Sequence, residues 1–230
     1  MDFIFEGFSK AFHLILTLDG EVFSIAFLSL WVSTTATLIA TLAGVPLGFS
    51  IGTITFRGRR ATITVFNTLL SFPPVVVGLL IYGFVSRQGP LGFLELLFTP
   101  QAMILGQCIL AFPIIVSLTI SAVQGLDQRI RPTALTLGAS RLQASLALLS
   151  ESRFAIMAAV IAGFGRIIGE VGAAIMLGGN IKHYTRTITT AIALETSKGE
   201  FGFAIALGMI LMLVAFSVNF LLRYIQQRGI

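Results

Sequence analysis

Charge is what this sequence has least of. Only 11% of its 230 residues are charged against 56% hydrophobic, with a mean hydropathy of +0.95. That balance excludes a soluble globular domain and leaves an all-α, polytopic membrane protein, read here as one integral domain over residues 1–230. Cysteine is nearly absent too: Cys108 lies alone in an apolar run, which excludes a disulfide or a cysteine metal cluster. Histidine occurs only at His13 and His183, outside any H-E-x-x-H pattern, and there is neither a G-x-S-x-G elbow nor an intramembrane carboxylate pair. Hydrolytic and acid–base catalysis are therefore excluded, and no cofactor or metal is expected. No phosphate-binding G-x-x-x-x-G-K-[ST] loop exists, so any ATP hydrolysis must belong to another subunit. The net charge of +5 and pI near 10.0 come from basic residues scattered among interhelical loops, which is a topology signal and not a nucleic-acid patch.

What is present is a series of long apolar stretches. Five crossings are expected, at about 22–54, 62–85, 103–123, 154–177 and 203–222. Arg57, Arg59, Arg60, Arg129, Arg131, Arg141, Arg153, Arg223 and Arg228 then all fall on one side, which the excess of basic residues marks as cytoplasmic. The N-terminus is external and the C-terminus cytoplasmic in this count. Residues 1–19 mix phenylalanines with Asp2, Glu6 and Lys10 and lack a basic start, so they read as an interfacial helix and not as a cleaved leader. In the first span, Gly44, Gly48 and Gly52 recur every fourth residue and form a face for close helix packing, with Pro46 expected to kink it. Phe72-Pro73-Pro74 in the second span is echoed by Phe112-Pro113 in the third. Two proline-broken spans placed alike point to a shared pathway lining, with Ser71, Pro73, Pro74 and Pro113 as candidates.

Arg166 and Glu170 are the charges deepest in an apolar stretch. Four residues apart on one helical face, they are expected to pair and to fix structure, pointing away from lipid. Residues 86–100 read as an external loop, and threonine-rich 185–199, too short and polar to cross, as an external gate or re-entrant piece.

Residues 126–153 are the longest polar interruption that keeps helical patterning. Pro132 suits a first helical turn, Gly138 ends that helix and Ser140 caps the next, giving two short helices in a cytoplasmic elbow shaped to dock into a partner. Thr133-Ala134-x-x-x-Gly138-Ala139-Ser140-Arg141 resembles the EAA loop of bacterial ABC-importer permeases, with Pro132 where that family usually has its acidic residue. The block Gly165-Arg166-x-x-Gly169-Glu170-Val171-Gly172-Ala173, with Gly178-Gly179-Asn180-Ile181 behind it, is similar to the oxyanion permeases of molybdate and tungstate importers. The continuation through Tyr184-Thr185-Arg186 and Leu194 to Gly199 is similar to the tungstate branch.

The resemblance implies a homodimeric permease in a bacterial inner membrane. It also implies two cytoplasmic ATP-binding subunits below, coupled through Thr133, Ala134, Gly138, Ala139, Ser140 and Arg141, and an external oxyanion-binding protein, periplasmic or surface-tethered, above. The expected function is tungstate import by alternating access, with molybdate or another oxyanion as the alternative and a passive anion channel behind it.

Overall fold

A computed structural model describes residues 2–17 and 19–228. Among these residues ten α-helices follow in chain order: α1 (Asp2–Leu16), α2 (Gly20–Thr53), α3 (Arg59–Leu69), α4 (Pro74–Val85), α5 (Pro100–Gln124), α6 (Ile130–Thr136), α7 (Arg141–Ile168), α8 (Gly172–Gly178), α9 (Ile188–Ser197) and α10 (Phe201–Arg228), with one 3-10 turn at Gly92–Leu94. Among the described residues there is no strand. Four helices, α2, α5, α7 and α10, are long and apolar enough to cross a membrane, and α3 with α4 makes a fifth crossing if that bent pair is counted as one.

The centre of the fold is the α2–α5 pair. Its closeness follows from the glycine face: a Cβ on Gly48 would lie 2.7 Å from the Val116 carbonyl oxygen and 2.8 Å from Thr119 Cβ. Gly44 meets Ile115 and Gly52 meets Val123 in the same way, so α5 lies along this strip backbone to backbone. Pro46 is accommodated inside α2, which runs for 34 residues. Asp19 starts α2 by accepting from the Glu21 and Val22 amides, and Arg59 finishes it by donating to the Ile51 and Gly52 carbonyls at 2.8 and 2.6 Å.

Around that pair, α7 presents Ala144, Leu148, Ser152, Ile156, Ala159, Gly163 and Ile167 as one buried stripe, with Gly163 seated on Ile115. The core joins Ala36 and Ala40 of α2, Val77 and Ile81 of α4, Ala111 and Ile115 of α5, Ile167 of α7, and Ala173 and Leu177 of α8. At one end, α1 lies on α10, with Gly7 against Gly202 and Ile205 and the Lys10 ammonium 5.3 Å from the centre of the Phe203 ring.

Three expectations are corrected. Pro113 does not break its span: α5 is one helix from Pro100 to Gln124. A single proline removes one amide, and here its surroundings, Ala111, Ile115 and Val116, are fully buried and hold the helix in line. The second half of the elbow is not a short helix, because α7 continues unbroken for 28 residues from Arg141 into the membrane. The fourth span is instead interrupted at 169–171, near its far end, before the short α8.

Candidate functional site

At the elbow, α6 buries none of its residues. Its last turn closes through Leu137 N–H donating to Thr133 O, Gly138 N–H to Leu135 O and Ala139 N–H to Ala134 O. Gly138 then takes φ +88°, a left-handed conformation that costs glycine nothing, and a Cβ there would meet open space. Ser140 and Gln143 form a reciprocal capping box that starts α7. The outcome is a rigid projection carrying large apolar side chains into the open: Leu135, Leu137, Leu142 and Leu146 are all exposed, Leu137 at 83%. Thr133, Ala134, Gly138, Ala139, Ser140 and Arg141 thus occupy one contiguous elbow.

Between α3 and α4 the chain turns by 98°. The physical cause is the proline pair: a residue preceding proline is pushed out of the helical region, and Pro73, before Pro74, sits at φ −65°, ψ 123°. Pro74 then serves as the first helical residue of α4, where no amide is required. Ser71, Phe72 and Pro73 are exposed on this bend and Pro74 half-buried, whereas Pro113 is buried on α5. A cavity of about 440 Å³ separates them, lined by Phe66, Leu69, Phe72, Cys108, Phe112 and Pro113 among others, and its surface is almost wholly apolar. Pro113 therefore shares a hydrophobic groove with Phe72, while Ser71, Pro73 and Pro74 stand together on the bend. The Ser117 hydroxyl, one turn beyond Pro113, donates to Asn67 Oδ1 and ties α3 to α5.

Arg166 and Glu170 pair at 3.1 Å between Nη1 and Oε2. Glu170, however, lies just past the end of α7, where its other oxygen accepts from the Gly172 and Ala173 amides at 2.9 and 3.4 Å. It is buried and caps the start of α8, while the Arg166 side chain is 47% exposed. The Thr189 hydroxyl donates to the Glu170 carbonyl, and Thr187, Thr189 and Thr190 hydrogen-bond among themselves. The Ile188 amide donates to Ser29 Oγ of α2. The segment read as an external gate or re-entrant piece begins with a helix start packed inside the protein, where Thr185, Thr187, Thr189 and Thr190 are all buried, and ends exposed at 196–199. Threonines unpaired with any charge in an apolar neighbourhood were the sign of it, because a buried hydroxyl needs a partner.

α8 completes the arrangement by packing on α4. A Cβ on Gly78 would come within 2.9 Å of Ala173 Cα, and Gly172 sits against Val75. The second halves of both interrupted spans are therefore in contact with each other.

Residues 44–229 match the family of binding-protein-dependent transport system inner membrane components. Over full length the chain is 42% identical to the tungstate uptake system permease protein of Peptoclostridium acidaminophilum, covering 99% of this chain and 100% of that one. It is 42% identical to the protein of the same description from Campylobacter jejuni, over 96% and 92% of the two chains. The molybdenum transport system permease protein of Escherichia coli K12 is 31% identical over 82% and 89%. Among solved structures, a bacterial ABC transporter importing the acidic polysaccharide alginate superposes with TM-score 0.75 at 20% identity, covering 94% of this chain and 82% of that one. A methionine ABC transporter in inward-facing conformations gives 0.67 at 14% identity, over 92% and 95%.

Proposed function

The chain belongs to the binding-protein-dependent transport system inner membrane components, and from that premise we propose that it is the permease subunit of an ATP-driven importer of tungstate. The observation that carries the substrate is 42% identity across 99% of the chain to a tungstate uptake permease. The likeness to a molybdenum permease at 31% makes molybdate the second reading. The two anions are tetrahedral, doubly charged and nearly equal in hydrogen-bonding capacity, so a permeation route has little basis for separating them. Discrimination sits in the external binding protein, where the anion is desolvated and held by directed donors.

The working assembly in this proposal is a homodimer with one ATP-binding subunit under each elbow and an oxyanion-binding protein at the opposite end. The arginines that follow α2 and flank α6 support a cytoplasmic elbow, which in this proposal sets the start of α2 outside and α1 at the external interface. The exposed leucines around Gly138 fit a groove in the ATPase. Ser71, Pro73 and Pro74 face the translocation route from the bend, with Pro113 behind them. They offer hydroxyl and backbone dipoles from which a dianion can leave as readily as it enters. Arg166 and Glu170 serve as a structural pair.

Calorimetric titration of the binding protein with tungstate, molybdate and sulfate, beside ATP-dependent uptake by the reconstituted complex, tests the reading. Tight tungstate binding and tungstate uptake are expected. Tight binding of sulfate or phosphate with no response to tungstate would sink the substrate while leaving the permease.

A further inference from the structure

At the end of the molecule opposite the elbow, the first turns of α2 and the loop between α8 and α9 enclose a pocket of about 130 Å³. At roughly 30 Å³ per water this is room for about four waters, the scale of one tetrahedral oxyanion. Its lining includes Glu21, Ser24, His183, Tyr184 and Arg186.

Arg186 is the feature that needs explaining. Its side chain is only 15% exposed, and Nε is fully buried with no hydrogen-bond partner among the described residues. The nearest carboxylate oxygen, Glu21 Oε1, is 3.8 Å from Nη1, beyond hydrogen-bond reach. Glu21 is already engaged by Lys182 at 2.8 Å. Formally Glu21 at −1, Lys182 at +1 and Arg186 at +1 leave a charge of +1, on a guanidinium whose Nε has no hydrogen-bond partner among the described residues. A buried donor without an acceptor costs free energy, and a guanidinium presents its donors in a planar fork suited to two oxygens of one anion.

The loop fixes the backbone from which that fork projects. The Ile181 carbonyl accepts from the Tyr184, Thr185 and Arg186 amides at 3.1, 2.9 and 3.0 Å. The Thr185 hydroxyl accepts from the Ile181 amide and donates to the Gly178 carbonyl. Asn180 and His183 take positive φ, 51° and 62°, to make this wrap. Such a loop positions Arg186 before any ligand arrives, which lowers the ordering cost of binding.

We infer that this pocket binds a single tetrahedral oxyanion, with the Arg186 guanidinium as principal donor and Ser24 and Tyr184 at its rim. The inference rests on the transport reading only in naming tungstate as one source of that chemistry. The other source is a lipid phosphate, since Phe23, Phe27 and Trp31 are exposed along α2 beside the pocket.

The test uses the full-length permease purified in a non-ionic detergent. One arm titrates tungstate and inorganic phosphate by calorimetry; the other weighs co-purified phospholipid by native mass spectrometry. Wild type is expected either to bind the free anions saturably or to retain phospholipid. Arg186→Gln should weaken that binding about tenfold or more, and Arg186→Lys by less, because the charge survives without the fork. Should Arg186→Gln fail to elute as a single species, Ser24→Leu fills the pocket from the α2 side and should give the same loss. Wild type inert in both arms, or monodisperse variants indistinguishable from it, would overturn the site. Loss of phosphate or lipid binding in Arg186→Gln upholds it even where reconstituted tungstate uptake fails, so the two readings fall separately.

Discussion

Gly48 shows how much one missing methyl group decides. Leucine there would drive its Cβ to 2.7 Å from a backbone oxygen on α5, and a backbone cannot move aside as a side-chain tip can. Overpacking of this kind costs about 1–3 kcal/mol. Gly48→Leu should therefore lower the thermal midpoint of the detergent-solubilised protein, whereas Gly83→Leu, with nothing within 4 Å of its Cβ, should leave it unchanged.

A second residue-scale contrast lies in the ion pair. Glu170 holds two amides of α8, whereas Arg166, among the described residues, pairs with Glu170 alone and is half exposed. Glu170→Ala should cost about 1–3 kcal/mol through its unsatisfied amides. Arg166→Ala should cost less, and the double variant less than the sum, as a thermal-unfolding cycle would register. A double variant far worse in uptake than either single one would instead give the pair a direct part in transport.

At the scale of elements, the elbow and the bend each depend on backbone conformation more than on side-chain contact. Gly138 at φ +88° has free space around it, so Gly138→Leu strains the turn by about 1–2 kcal/mol without a clash. The variant should insert normally yet lose transport, and co-purification with the ATPase should fall with it; normal uptake would remove the elbow from the coupling role. Pro73→Ala with Pro74→Ala lets α3 and α4 approach one continuous helix, and loss of uptake at unchanged membrane yield is the expected result. The apolar stretches and the elbow's punctuation were legible in the sequence because hydropathy and Gly, Pro and Ser signals are local. The interruption at 169–171 and the helix at 188–197 were not. The bonds that make them possible run from Thr189 to Glu170 and from Ile188 to Ser29, partners 19 and 159 residues apart. Nor could the repeated Phe-Pro pattern reveal that Pro113 stays helical, since only burial on both sides keeps it so.

The molecule as a whole places its exposed bend, its capped interruption and its elbow on elements that share α5 as a neighbour. Ser71→Cys should react with a small water-soluble thiol reagent in at least one nucleotide state of the reconstituted complex. Inertness in every state would remove the bend from the water-filled route.

Between the elbow and Glu170 there is only α7, about 42 Å of uninterrupted helix at 1.5 Å per residue. Such a strut has no joint at which a stroke could be held half finished. If the elbow couples to an ATPase as proposed, a displacement at Arg141 should reach the α8 cap in the same movement. Spin labels at the two ends of α7 should keep one separation through the ATPase cycle while each changes its distance to α3.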